Sequence, residues 1–152
     1  MPSEFDKYAA KGNEVLHMLM NDLAIPADKA GRILRAVLHT IRNHVSVQES
    51  MQVMAQLPMA LKAIYVDQWS IRQDTPRIHH IKQFLDEVRS CDNGLAGYDF
   101  GNDESATLMV KGVFRTLRYY VSDGEFEDII AVLPNEIKEF VRNSIGLNNF
   151  IM

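Results

Sequence analysis

At a constant offset of 76 residues, Ala30 to Ile64 lies over Ala106 to Phe140 without a gap, and eleven of the thirty-five positions are identical. No other property of the chain limits its fold as much, because a segment used twice has to find the same kind of partner surface twice. The matched pairs include Val37 with Val113, Thr40 with Thr116, Arg42 with Arg118, Ser46 with Ser122 and Glu49 with Glu125, and they run on through Leu57-Pro58 and Leu133-Pro134. Upstream, Leu16 and Met20 lie over Phe84 and Val88 at an offset of 68, the difference being an eight-residue longer loop in the second copy.

Each copy reads as helix, short helix, helix. Leu34, Val37, Leu38, Ile41 and Val45 recur at helical spacing, as do Val110, Val113, Phe114, Leu117 and Val121, and stripes of this period face a core. Ser46-Val47-Gln48-Glu49 and Ser122-Asp123-Gly124-Glu125 have the form of a capping box, in which serine and glutamate satisfy orphan amide donors at a helix start. Pro58 and Pro134 end the preceding helix by restricting Leu57 and Leu133, and they suit the first turn of a third helix. Two further helices, from about Glu4 to Leu23 and from about Arg77 to Ser90, make about four per half. The breaks fall at Ile25-Pro26, from Gln68 to Pro76, and from Cys91 to Asp103, with Asp103 or Ser105 expected to cap the next helix. No segment alternates with the two-residue period of a strand. The prediction is an all-α chain, a tandem duplication of a helical unit packed into one bundle-like domain, with repeats at approximately 1–72 and 73–152. Halves near roughly 70–80 residues have marginal cores of their own, so the two are expected to share one.

Hydrophobic residues make up 47% of the chain and charged residues 24%, which is ordinary globular usage and excludes disorder, collagen-like repeats and coiled coil. The formal net charge of −4 gives no global reason to bind nucleic acid or acidic lipid, so any basic surface has to be local. No window approaches the roughly 18 apolar residues of a spanning helix, and Met1 to Lys7 shows no leader pattern. The single cysteine, Cys91, suits a reducing compartment. These features predict a cytoplasmic protein that does not enter the membrane.

Ala36-Val37-Leu38-x-Thr40-Ile41-Arg42, Ala55-Gln56-Leu57-Pro58, the Tyr65 and Trp69 that follow, and Gly124-Glu125 with Leu133-Pro134 together resemble the bacterial family catalogued as domain of unknown function 2267. The resemblance covers nearly the whole chain, and the long Cys91 to Asp103 loop departs from the pattern. It implies an α-helical duplicated fold and a bacterial source, and it brings no activity and no site.

Few residues carry chemistry. Arg32, Arg35, His39 and Arg42 share one helix face, and Lys111, Arg115 and Arg118 do the same in the second copy. Such stripes are candidates for an anion-binding face, phosphate backbone included. The structural reading is that each arginine pairs with a carboxylate on a packed neighbour, with Arg42 and Arg118 bonding the acidic starts of their own second helices. Tyr65 and Trp69 are candidates for a partner anchor or for closing the seam between halves. Glu14 and His17 have the spacing of a di-metal ligand pair, but that site needs a second pair and the sequence has none. Cys91 follows a helix end, whose dipole opposes a thiolate. Gly94, Gly97 and Gly101 follow a helix rather than a strand, so they make no phosphate loop. Asp99, Asp103 and Glu104 read as capping residues rather than cation ligands. No catalytic residue, cofactor or metal is assigned. The tail from Ser144 to Met152, with Phe150 a candidate contact, is expected to fold back over the second half or to dock on another chain. The expectation is a non-catalytic protein working through a protein partner or homo-oligomer. The alternatives are anion or nucleic-acid binding through the basic stripes, and an enzyme whose site is not readable from sequence.

Overall fold

The computed structural model describes residues 3–71, 76–92 and 94–145. Among the described residues there are nine helices and no strand: α1 (Glu4–Leu23), α2 (Ala27–Asn43), α3 (Val47–Ala55), α4 (Met59–Val66), α5 (Ile81–Ser90), α6 (Ala96–Asp99), α7 (Asp103–Tyr120), α8 (Asp123–Ile130) and α9 (Asn135–Ser144). The class is all-α. The tail from Gly146 on, Phe150 included, lies outside the described residues.

Helix starts follow local chemistry. Ser46 Oγ accepts the Glu49 amide at 3.0 Å while Glu49 Oε1 accepts the Ser46 amide at 2.8 Å. Ser122 and Glu125 repeat the box at 3.1 and 2.8 Å. Ser3 and Asp6 close a further box at the start of α1. Pro58 and Pro134 sit at the N-cap positions of α4 and α9, one residue ahead of the expected first turn. The cap of α7 is Asn102, whose side chain accepts the Ser105 amide at 2.9 Å, in place of the expected Asp103 or Ser105. Asp103 is held instead by ion pairs to Lys82 and Arg89. The helix expected from Arg77 begins at Ile81, because Gln83 Oε1 takes the amides of His79 and His80 and Glu136 takes that of Ile81. The stretch expected as a loop from Cys91 to Asp103 contains the short α6, pinned by buried Asp99 and Phe100.

The two long central helices, α2 and α7, pack against each other, with α5 laid on α2 and α1 on α7. The packed pairs map onto themselves when α1, α2, α3 and α4 are exchanged with α5, α7, α8 and α9, and α6 alone has no counterpart. α3 meets α8 where Gln52 Nε2 donates to the carbonyl of Asp128 at 3.2 Å, and these two residues are themselves 76 apart. With the exchange of packed helix pairs, this contact between positions 76 apart is the arrangement an approximate two-fold gives. The expected stripes are buried except for Val45, which is partly covered at the edge, and with Val15, Leu19, Phe84 and Val88 they form one contiguous core. In α1 the fully buried pair is Val15 and Leu19, with Leu16 and Met20 partly covered, one residue away from the register expected against Phe84 and Val88.

Candidate functional site

The basic stripes are largely engaged by neighbouring groups. Arg32 grips Asp99 through Nε at 2.7 Å and Nη2 at 3.0 Å and also pairs with Asp28. Arg35 pairs with Asp67 at 2.8 Å, Arg115 with Asp22 at 3.0 Å, and Arg118 with Asp123. Lys111 lies over the Phe140 ring, 5.8 Å from its centre. The ion pairs set carboxylates beside Arg32, Arg35, Arg115 and Arg118, which weakens the positive field a phosphate backbone would meet there.

Arg42 differs. It is 7% exposed and, among the described residues, makes no ion pair. Its Nη1 donates to the carbonyls of Tyr65 at 3.1 Å and Asp67 at 2.8 Å, and its Nε donates to Asn43 Oδ1 at 3.1 Å. His39 Nε2 meets the carbonyl of Ile64 at 2.7 Å. Two side chains of α2 therefore satisfy carbonyls in the last turn of α4 and just past it, groups that a helix end leaves without intrahelical partners. Burial pushes the pKa of Arg42 down, and it pushes that of His39 down as well. Beside this cap opens a cleft of about 570 Å³ whose walls include Arg42, Asn43, His44, Val47, Trp69 and Glu87. Both ring nitrogens of His44 face oxygens, Pro76 O at 2.8 Å and Glu87 Oε2 at 3.0 Å. Tyr65 is wholly buried, bonds Ser50 at 2.8 Å and stands edge-to-face with half-buried Trp69. Burial pushes the Tyr65 hydroxyl up to about 12, so it serves the core, while Trp69 reaches the cleft.

A buried carboxyl pair, missed by the sequence reading, joins the α6 loop to α2. Asp92 is 6% exposed with one oxygen lacking a partner, and Asp99, at 1%, is clamped by Arg32. Burial, then the hydrogen bond and charge of Asp99, push the Asp92 carboxyl up to about 7. Burial alone would raise Asp99, but the Arg32 guanidinium and the bond from Asp92 outweigh it and hold its carboxyl below the usual range. Of the remaining candidates, His17 is exposed and Cys91 is raised by burial. No group of three or more metal-binding side chains occurs among the described residues, and no described helix is long and apolar enough to cross a membrane.

The outer face of α4 carries exposed Met59, Ala63 and Val66, while the matching positions of α9 hold Asn135, Glu139 and Arg142. Arg142 pairs with Glu139 at 3.8 Å and Glu127 at 3.3 Å.

The family model described as uncharacterized conserved protein (DUF2267) matches residues 12–140, and the chain belongs to that family. No curated protein matches the chain.

Proposed function

Starting from a family that brings no activity with it, we propose that this chain is a non-catalytic helical protein that binds a protein partner or a second copy of itself through the outer face of α4. The observation that supports this is the contrast between Met59, Ala63 and Val66 and their polar counterparts on α9, Asn135 and the ion-paired Glu139 and Arg142. The same helix in the same setting tolerates polar groups at these positions, so folding does not require the apolar ones. Ala63→Glu should abolish association in sedimentation velocity, by itself or with its partner, and leave the helical circular dichroism intact. Unchanged association, or a specific turnover in a screen of ester, phosphate, nucleotide and thiol substrates, would overturn the reading.

The proposal includes a tandem duplication as the origin of the halves, within one domain and in the cytoplasm of a bacterium. It is supported by the 76-residue offset between equivalent contacts, the exchange of packed helix pairs and the lone half-buried cysteine. Nucleic-acid binding through the arginine stripes is the second reading, favoured by their spacing alone. Filter binding to duplex DNA and RNA decides it, since contact with phosphates gives an affinity that falls steeply with salt.

A further inference from the structure

We propose that the cleft at the C-terminal end of α2 is a binding site for a small organic anion, a carboxylate or phosphate received by Arg42 with its apolar part resting on Trp69. The site stands apart from the outer face of α4 and does not depend on it.

A guanidinium withdrawn from water is retained in a fold when something compensates its charge. Arg118, the counterpart of Arg42, is a third exposed and pairs with the exposed Asp123. In the first half the position of Asp123 is Val47, which is a wall of the cleft. One difference between the halves thus removes the counter-ion and leaves apolar surface beside the cation. Backbone carbonyls and Asn43 hold Nη1 and Nε of Arg42. Its Nη2 makes no hydrogen bond to another described residue, and the guanidinium lines the cleft, where a charge-assisted bond to a ligand would add to those it already makes. Of the acidic groups nearby, Glu87 Oε2 lies 3.0 Å from His44 Nε2 and, just outside the cleft, Asp67 pairs with Arg35.

Gln68 and Trp69 also line the cleft. Gln68 follows the C-cap of α4 in a left-handed backbone, φ 58°, a common way for a helix to end. Its Oε1 accepts from Arg35 Nη2 at 3.3 Å. Trp69 lines the cleft, and the volume of about 570 Å³ falls within the roughly 300–1,000 Å³ of small-molecule sites.

Trp69 is the one tryptophan in the chain, so its fluorescence reports on the cleft directly. Titration of the full chain with benzoate and with phenyl phosphate should give a saturable change for at least one of them, and neutral benzamide should give none. Val47→Asp supplies the missing counter-ion at a helix start that favours an acid, so the variant should fold and bind the responding anion about tenfold or more weaker. Arg42→Met should lose the response, and Val47→Asp keeps the test decisive where Arg42→Met fails to fold. An equal response to benzamide, or Val47→Asp binding as well as the parent, would overturn the proposal. So would the absence of a saturable response to both anions up to about 10 mM, beyond the millimolar range where weak sites already fill.

Discussion

Asp92 is a residue whose behaviour separates the folded from the unfolded chain. Its carboxyl is pushed up to about 7 by burial and by Asp99, against about 3.9 for an ordinary aspartate. Between about pH 4 and 7 the folded chain holds a proton that the unfolded chain has lost, so this group's contribution to stability falls as pH rises through that window and is flat above it. Asp99 has the opposite sign: its lowered pKa stabilises above the ordinary aspartate value, and that contribution is lost as acid protonates it. Asp92→Asn keeps a donor for Asp99 and removes the charge. Urea unfolding should show the variant close to the parent at pH 4 and about 1–3 kcal/mol more stable at pH 8, the scale of an ill-compensated buried polar group. A difference that does not change with pH would refute the raised pKa of Asp92. The serines make a second test at this scale. Both capping boxes are formed, so Ser46→Ala and Ser122→Ala should each cost about 0.5–2 kcal/mol in denaturant unfolding, and no loss in either would remove the assignment.

At the scale of the helices, α1 and α4 approach so closely that a Cβ on Gly12 would lie 2.7 Å from the Cβ of Ala60. The contact atom belongs to a side chain with no rotamer to change, so the backbones would have to move apart. Gly12→Ala should therefore destabilise by about 1–3 kcal/mol, the usual cost of overpacking, despite the gain in helix propensity that alanine brings elsewhere. A more stable variant in thermal unfolding would show that the interface yields. The elements read from sequence were those with a local cause: serine-glutamate boxes, prolines and apolar stripes each act within a few residues of themselves. What escaped depends on distant groups. The start of α5 is set partly by Glu136 on α9, and α6 exists because Asp99 reaches Arg32 and Phe100 is buried, although Gly94, Gly97 and Gly101 give the stretch a loop composition. The site was legible only in part. Arg42 stood out as a member of a stripe, but that its neighbours were paired and it was not is a fact of packing.

For the whole molecule the decisive feature is that each half borrows a helix face from the other. α1 lies on α7 as well as on α2, and α5 lies on α2 as well as on α7, while α2 and α7 pack together through the middle. Cutting the chain after residue 72 would strip the apolar faces of α2 and α3 of α7, α5 and α8. Fragments 1–72 and 73–152 are each near the size at which a lone core is marginal, and neither would retain its half of the shared core. Each alone at micromolar concentration should show weak helical circular dichroism and no cooperative thermal transition. Mixed in equal amounts they should recover both, because the approximate two-fold presents complementary faces without the covalent link. The linker does no more than raise the effective concentration of one half near the other, so recovery should strengthen with fragment concentration. A monomeric 1–72 fragment with its own sharp melt would show that the halves are independent domains and that the shared core is not what holds the fold.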